Sequence, residues 1–132
     1  MALRAKWTVR IEGLKTRLCV AGRDGQQRLE PMTVSLVING LAADSPRQLE
    51  DCLDYAPICE WITHEWPRHD ATPLLETRVN ELLAFLFDFD RRVQDAWVGV
   101  YRAGQARGSA RIGVERQASR SQMQARLRVV RG

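Results

Sequence analysis

The spacing of apolar residues changes period twice along this chain, from about two residues to about 3.6 and back, and that alternation limits the fold more than any other feature. Trp7, Val9 and Ile11 alternate with Thr8, Arg10 and Glu12, as in a strand with one wet face. Gly13 interrupts the pattern, and Leu14, Leu18 and Val20 continue an extended run with shifted facing, as across a bulge. Ala21–Gln27 (AGRDGQQ) reads as a loop, and Met32–Leu41 (MTVSLVINGL) as a second strand hairpinned back on the first. The period then lengthens. Asp54 stands where it can cap a helix that tolerates Pro57 in its first turn; Ile58, Ile62 and Trp66 form one row, and Pro67 ends it. Thr72 is positioned to cap a second helix opened by Pro73, with an apolar stripe of Leu75, Val79, Leu82, Leu83 and Leu86 ending near Asp88. Val93–Arg102 and Ser109–Gln117 return to the strand period. The order ββααββ predicts an α+β fold: an antiparallel sheet with both helices on one face. The other face and the two edges stay uncovered, and further copies of the chain would protect them.

At 132 residues the chain is one domain's worth. No apolar run approaches the roughly 18 residues of a membrane span, and the start MALRAKWTVRIEG has no apolar stretch of the secretory kind. No membrane partner and a cytoplasmic location are therefore expected. Cys19, Cys52 and Cys59 are odd in number and form no CxxC pair, which suggests free thiols rather than a disulfide framework or a zinc site. His64 follows Glu60 by four residues, but the step from His64 to His69 crosses Pro67; these read as surface or helix-end histidines, and no metal is expected. The net charge of +4 is carried by Arg120, Arg126, Arg128 and Arg131, so residues 1–117 hold 16 basic and 16 acidic side chains. A nucleic-acid reader would place its basic patch on the folded body. The expected organisation is a domain over 1–117 and a basic, flexible C-terminal tail over 118–132, with no nucleic-acid partner. Only Lys6 and Lys15 are lysines; the other 18 basic residues are arginine.

The segment Leu49–Ala56 (LEDCLDYA), followed by Leu74-Leu75-Glu76 at the start of the second helix, resembles dihydroneopterin aldolase. The ββααββ order, the break at Gly13 and the ending Ile112–Arg116 (IGVER) fit the same pattern, over roughly Trp7 to Gln117. The resemblance implies the tunnelling fold, in which subunits close their sheets into a barrel as a tetramer or a stacked octamer, with a pterin held between neighbours and no cofactor. Glu76 would be the anchor, its carboxylate accepting two hydrogen bonds from the pterin amino group and adjacent ring nitrogen. Backbone near Leu75, and near Leu53 and Asp54 of the adjacent subunit, would meet the other ring edges, and Tyr55 would lie beside the bond to be cleaved. The implied reaction is retro-aldol cleavage of 7,8-dihydroneopterin, or a related dihydropterin, to 6-hydroxymethyl-7,8-dihydropterin and glycolaldehyde. The ring imine serves as electron sink, so neither a Schiff base nor a metal is required.

Two catalytic positions depart from that family. Gln26 falls where a glutamate is normal in the loop after the first strand, and it cannot take a proton. Asp24 is the nearby carboxylate of that loop. Arg102 falls where a lysine is normal at the end of the third strand, and a guanidinium stays protonated. The expectation is a lyase with altered catalytic groups. The alternatives are a non-catalytic pterin-binding protein on the same fold and an epimerase of dihydroneopterin or its triphosphate, for which Arg17, Arg23 and Arg28 lie near the loop.

Overall fold

In the computed structural model of the chain, which describes residues 3–103 and 110–131, four strands form one antiparallel sheet in the order β1-β2-β3-β4. β1 spans Arg4–Ala21, β2 Gln27–Ala43, β3 Val93–Arg102 and β4 Gly113–Ser119. The β1–β2 register shifts between Ile11 and Leu14, and Gly13 there has φ +68, a left-handed conformation that glycine adopts without a steric penalty. The expected bulge is present. Gly25, with φ +78, turns the chain between β1 and β2. The fourth strand lies slightly later than the predicted Ser109–Gln117; Ser109 itself is outside the described residues.

Between β2 and β3 the chain crosses one face of the sheet twice. A helical segment begins as α1, Ala56–Glu60, loosens into a π turn over Trp61–Glu65 and tightens into a 3-10 turn over Trp66–Arg68. Asp54 accepts the Ala56 N–H through Oδ1 at 3.0 Å, although the cap position falls on Tyr55. The π turn was not expected from the row Ile58, Ile62, Trp66, all of which are fully buried. Its reason is tertiary: Thr16 of β1 donates its hydroxyl to the Ile62 carbonyl at 2.6 Å, while the Trp66 N–H reaches back to Trp61. The return helix α2, Leu75–Phe89, starts later than Thr72 predicts because Leu74 is extended. The Thr72 hydroxyl instead accepts the Leu74 N–H at 3.3 Å.

Leu18, Met32, Val34, Leu36, Ile38, Val98 and Val100 point from the sheet toward Ile58, Ile62, Val79, Leu82, Leu83 and Leu86 in one continuous core. Truncating one of these leucines to alanine costs about 2–5 kcal/mol in comparable cores. The flexible tail expected from Ala118 is corrected in part. Ala118 and Ser119 complete β4, and Arg120–Arg131 form a third helix, α3. Arg120 anchors it by donating to the carbonyls of Val93 and Asp90, at 2.9 and 2.8 Å, and Met123 is buried. Among the described residues, no helix is long and apolar enough to cross a membrane.

Candidate active site

The antiparallel order sends the two sets of sequence-selected residues to opposite ends of the sheet. Arg102 pairs with Met32 at one end, and Val93 pairs with Gly40 at the other. The eight residue steps of β2 from Met32 to Gly40 span roughly 26 Å at about 3.3 Å each.

The first end carries Gln26, Arg102 and the start of α2. Val20 bridges to Thr72, and the Ala21 N–H donates to the Thr72 carbonyl at 3.2 Å. That link brings the end of β1 against the approach to α2. Leu75 is buried and Glu76 is exposed in the first helical turn, where the helix dipole favours a carboxylate. Arg78, one turn further, is fully buried and donates to Asp70 O at 2.8 Å, to Cys19 O, and to Glu81 Oε1 at 2.8 Å. It therefore fixes the start of α2 against β1. Burial alone would raise the Glu81 carboxyl, but the hydrogen bonds from Arg78 and Trp66 outweigh it and hold the group below its usual value.

Gln26 is exposed at the turn, where its backbone N–H donates to Asp24 Oδ1 at 3.1 Å. Asp24 also pairs with Arg28 at 2.9 Å, and its carboxyl is lowered, first by the bond from the Gln26 backbone. Arg102 is half-buried, with Nη1 at 2.5 Å from both carboxylate oxygens of Glu30. Glu30 and Met32 are two residues apart on β2, so their side chains leave the same, helix-covered face. A recess of about 470 Å3 opens here, lined by Val20, Gly22, Arg28, Glu30 and Arg102 among others.

Tyr101, one residue before Arg102, faces the uncovered side. Its ring lies over Gly99 and Gly113, where a Cβ would collide with it, and the Arg111 guanidinium sits 4.4 Å above. Its hydroxyl donates to Glu115; burial and that bond push the phenol up to about 12.

Leu53, Asp54 and Tyr55 occupy the second end. Leu53 is buried, Asp54 half-buried and Tyr55 61% exposed, so that ring is available to another molecule. Arg92 holds the segment in place by donating to Glu50 O at 3.0 Å and Cys52 O at 2.8 Å while paired with Asp90 at 2.9 Å. A Cβ at Gly40 would collide with the Arg92 carbonyl oxygen, so the close approach of β2 here requires glycine. Reasoning from the sequence missed Glu30, Arg78 and Arg92. Only the β2–β3 register would have placed Glu30 beside Arg102. Arg78 falls on the buried face of α2, and no local feature distinguishes its buried guanidinium.

The arrangement is an α+β meander with two helices over one face and charged groups at both ends. Its fold is that of the dihydroneopterin aldolases. A dihydroneopterin aldolase from Burkholderia thailendensis, solved bound to guanine, superposes with a TM-score of 0.71 at 13% identity, over 87% of this chain and 92% of that one. The Escherichia coli dihydroneopterin aldolase, solved in complex with neopterin, gives a TM-score of 0.68 at 18% identity, over 85% and 98%. No protein-family model and no curated protein sequence matches the chain.

Proposed function

We propose that the chain is a dihydroneopterin aldolase-like lyase that cleaves 7,8-dihydroneopterin, or a related dihydropterin, to 6-hydroxymethyl-7,8-dihydropterin and glycolaldehyde, with altered catalytic groups. The observation that carries this reading is the separation of Leu53–Tyr55 from Glu76 and Arg102 at opposite ends of the sheet, in a fold whose solved examples hold guanine and neopterin. Glu76 would anchor the amidine edge of the pterin beside Leu75, and Arg102 would face the reacting side chain near the Gln26 turn. Leu53, Asp54 and Tyr55 would come from a neighbouring copy, because a single chain keeps them too far away. The working unit is accordingly a homo-oligomer, a tetramer or octamer closed through the free edges β1 and β4, acting in the cytoplasm. Arg102 in place of a proton-transferring group also favours a second reading, a pterin-binding protein without turnover.

The test is incubation of the purified protein with 7,8-dihydroneopterin while glycolaldehyde and 6-hydroxymethyl-7,8-dihydropterin are followed in time. Slow, equimolar release that disappears in Glu76→Ala is expected. Tight neopterin binding without release would select the second reading, and neither binding nor release would defeat both.

A further inference from the structure

We infer that Glu30, held by Arg102, is the carboxylate that moves the proton at this site, so that the pair replaces the lysine and loop glutamate of the aldolases. The inference rests on the lyase reading. It is reached first by elimination at the Arg102 end of the sheet. Arg102 and Arg28 stay protonated and cannot accept a proton. Gln26 is neutral, and its side chain stands in solvent at the turn. Asp24 is turned to the tip of the β1–β2 turn, where it holds Arg28 and the Gln26 N–H, and it does not line the recess. Tyr101 faces the opposite side of the sheet with its hydroxyl engaged by Glu115. Glu76 is committed to the pterin ring. Among the described residues lining the recess, Glu30 is the one carboxylate.

The geometry then supplies the positive case. Both Glu30 oxygens lie 2.5 Å from Arg102 Nη1, and both side chains remain partly open, at 23% and 34% exposure. The carboxylate is thus fixed in direction without being sealed from the recess. Its position on β2, opposite Leu18 of β1 and two residues from Met32, puts it on the same side of the sheet as α2.

The proton count closes with this one group. The side-chain hydroxyl of the dihydropterin gives its proton to Glu30, and the adjacent carbon–carbon bond breaks as glycolaldehyde departs. The freed electron pair passes into the ring imine and leaves negative charge on the ring nitrogen. Arg102 loses its anionic partner at that moment and faces the new charge instead. Glu30 then delivers the same proton to the carbon left behind, and the electron pair returns to re-form the imine. Net charge near Arg102 is unchanged throughout, so no second acid, metal or oxidant is needed.

Glu30→Gln tests this because the amide can still hydrogen-bond to Arg102 yet cannot carry the proton. Steady-state glycolaldehyde release should fall about 10²–10⁴-fold in kcat, the usual worth of a general acid–base group, with neopterin affinity and melting temperature close to wild type. Glu30→Asp, which keeps the carboxylate, should recover part of the rate lost in Glu30→Gln. An unchanged kcat in Glu30→Gln would overturn the inference while leaving the lyase reading intact. So would losses of kcat, neopterin binding and melting temperature together, without rescue by Glu30→Asp, since that pattern marks a structural pair. A wild-type protein that releases no glycolaldehyde defeats the lyase reading, and this inference with it, before any variant is made.

Discussion

Each end of the sheet carries an arginine–carboxylate pair on the helix side, and the two pairs serve different ends. At the second end Arg92 spends Nε, Nη1 and Nη2 on Asp90 and on the carbonyls of Glu50 and Cys52. Its donors are divided between two backbone carbonyls and Asp90, which is the work of a structural clamp. At the first end Arg102 meets one side chain, Glu30, at the rim of a recess. The same two functional groups therefore fix a loop in one place and leave reactive capacity in the other. What separates them is whether backbone carbonyls share the guanidinium. The difference also bears on assembly, because the clamp presents Tyr55 outward at the end of the sheet away from Glu76.

The largest effect should come from breaking the anchor at the first end. Glu76→Ala removes the carboxylate proposed to pair with the pterin amino group and ring nitrogen, and neopterin affinity should fall by about 2–5 kcal/mol. Calorimetric titration of wild type and variant measures it, and equal affinities would reduce Glu76 to a helix-start residue. Joining the two ends in one experiment sharpens the comparison. If Tyr55 acts on a neighbour's pterin, Tyr55→Ala and Glu76→Ala should each be nearly inactive alone. Refolded together in equal amounts, they should recover about a quarter of the sites intact. No recovery would mean that both residues serve a site within one chain, which the strand register opposes.

Some of this was legible from local pattern and some was not. The strands and the α2 stripe could be read because an alternating or helical period is local, and the bulge could be read because Gly13 breaks one. The π turn could not, since it is held by Thr16, 46 residues away in sequence from Ile62. The helix over Arg120–Arg131 reads as a polar tail until Arg120 finds carbonyls at the end of α2 and the start of β3 and Met123 enters the core. At the candidate site, Glu76 and Tyr55 stood out through family spacing. Glu30 did not, because its partner lies 72 residues away and only strand pairing joins them.

Arg92→Ala and Arg102→Ala should separate the two pairs by stability. Losing the Arg92 side chain leaves two carbonyls without their donor and Asp90 with only the backbone N–H of residue 92, and unfolding free energy should drop by about 1–3 kcal/mol. Losing Arg102 from a partly open pair should cost under about 1 kcal/mol while removing turnover. Denaturant titration at neutral pH gives both values, and the reverse order would make Arg102 the clamp. Tyr55→Ala should stay within about 0.5 kcal/mol of wild type, as expected for an exposed ring outside the core.

The smallest effect is the pH dependence of the clamp at the second end. Burial by itself would raise the Asp90 carboxyl, but hydrogen bonds from the Arg92 side chain and backbone outweigh it and hold it below 3.8. A carboxyl depressed in the folded state adds stability above its unfolded value and loses that contribution as pH falls through the folded value. The clamp should therefore weaken from about pH 4 downward. Glu81, lowered from 4.5 by Arg78 and Trp66 against burial, behaves the same way and would mask the signal in wild type alone. Because Glu81 is unchanged in Arg92→Ala, the stability gap between wild type and that variant isolates the clamp. The gap should be constant from about pH 7 to pH 5 and should narrow between about pH 4 and pH 2 as Asp90 is neutralised in both proteins. Denaturant titrations across that range measure it. A gap that stays constant to the acid end would mean that Arg92 acts only through the Glu50 and Cys52 carbonyls, and that its pairing with Asp90 contributes nothing to holding Tyr55 in place.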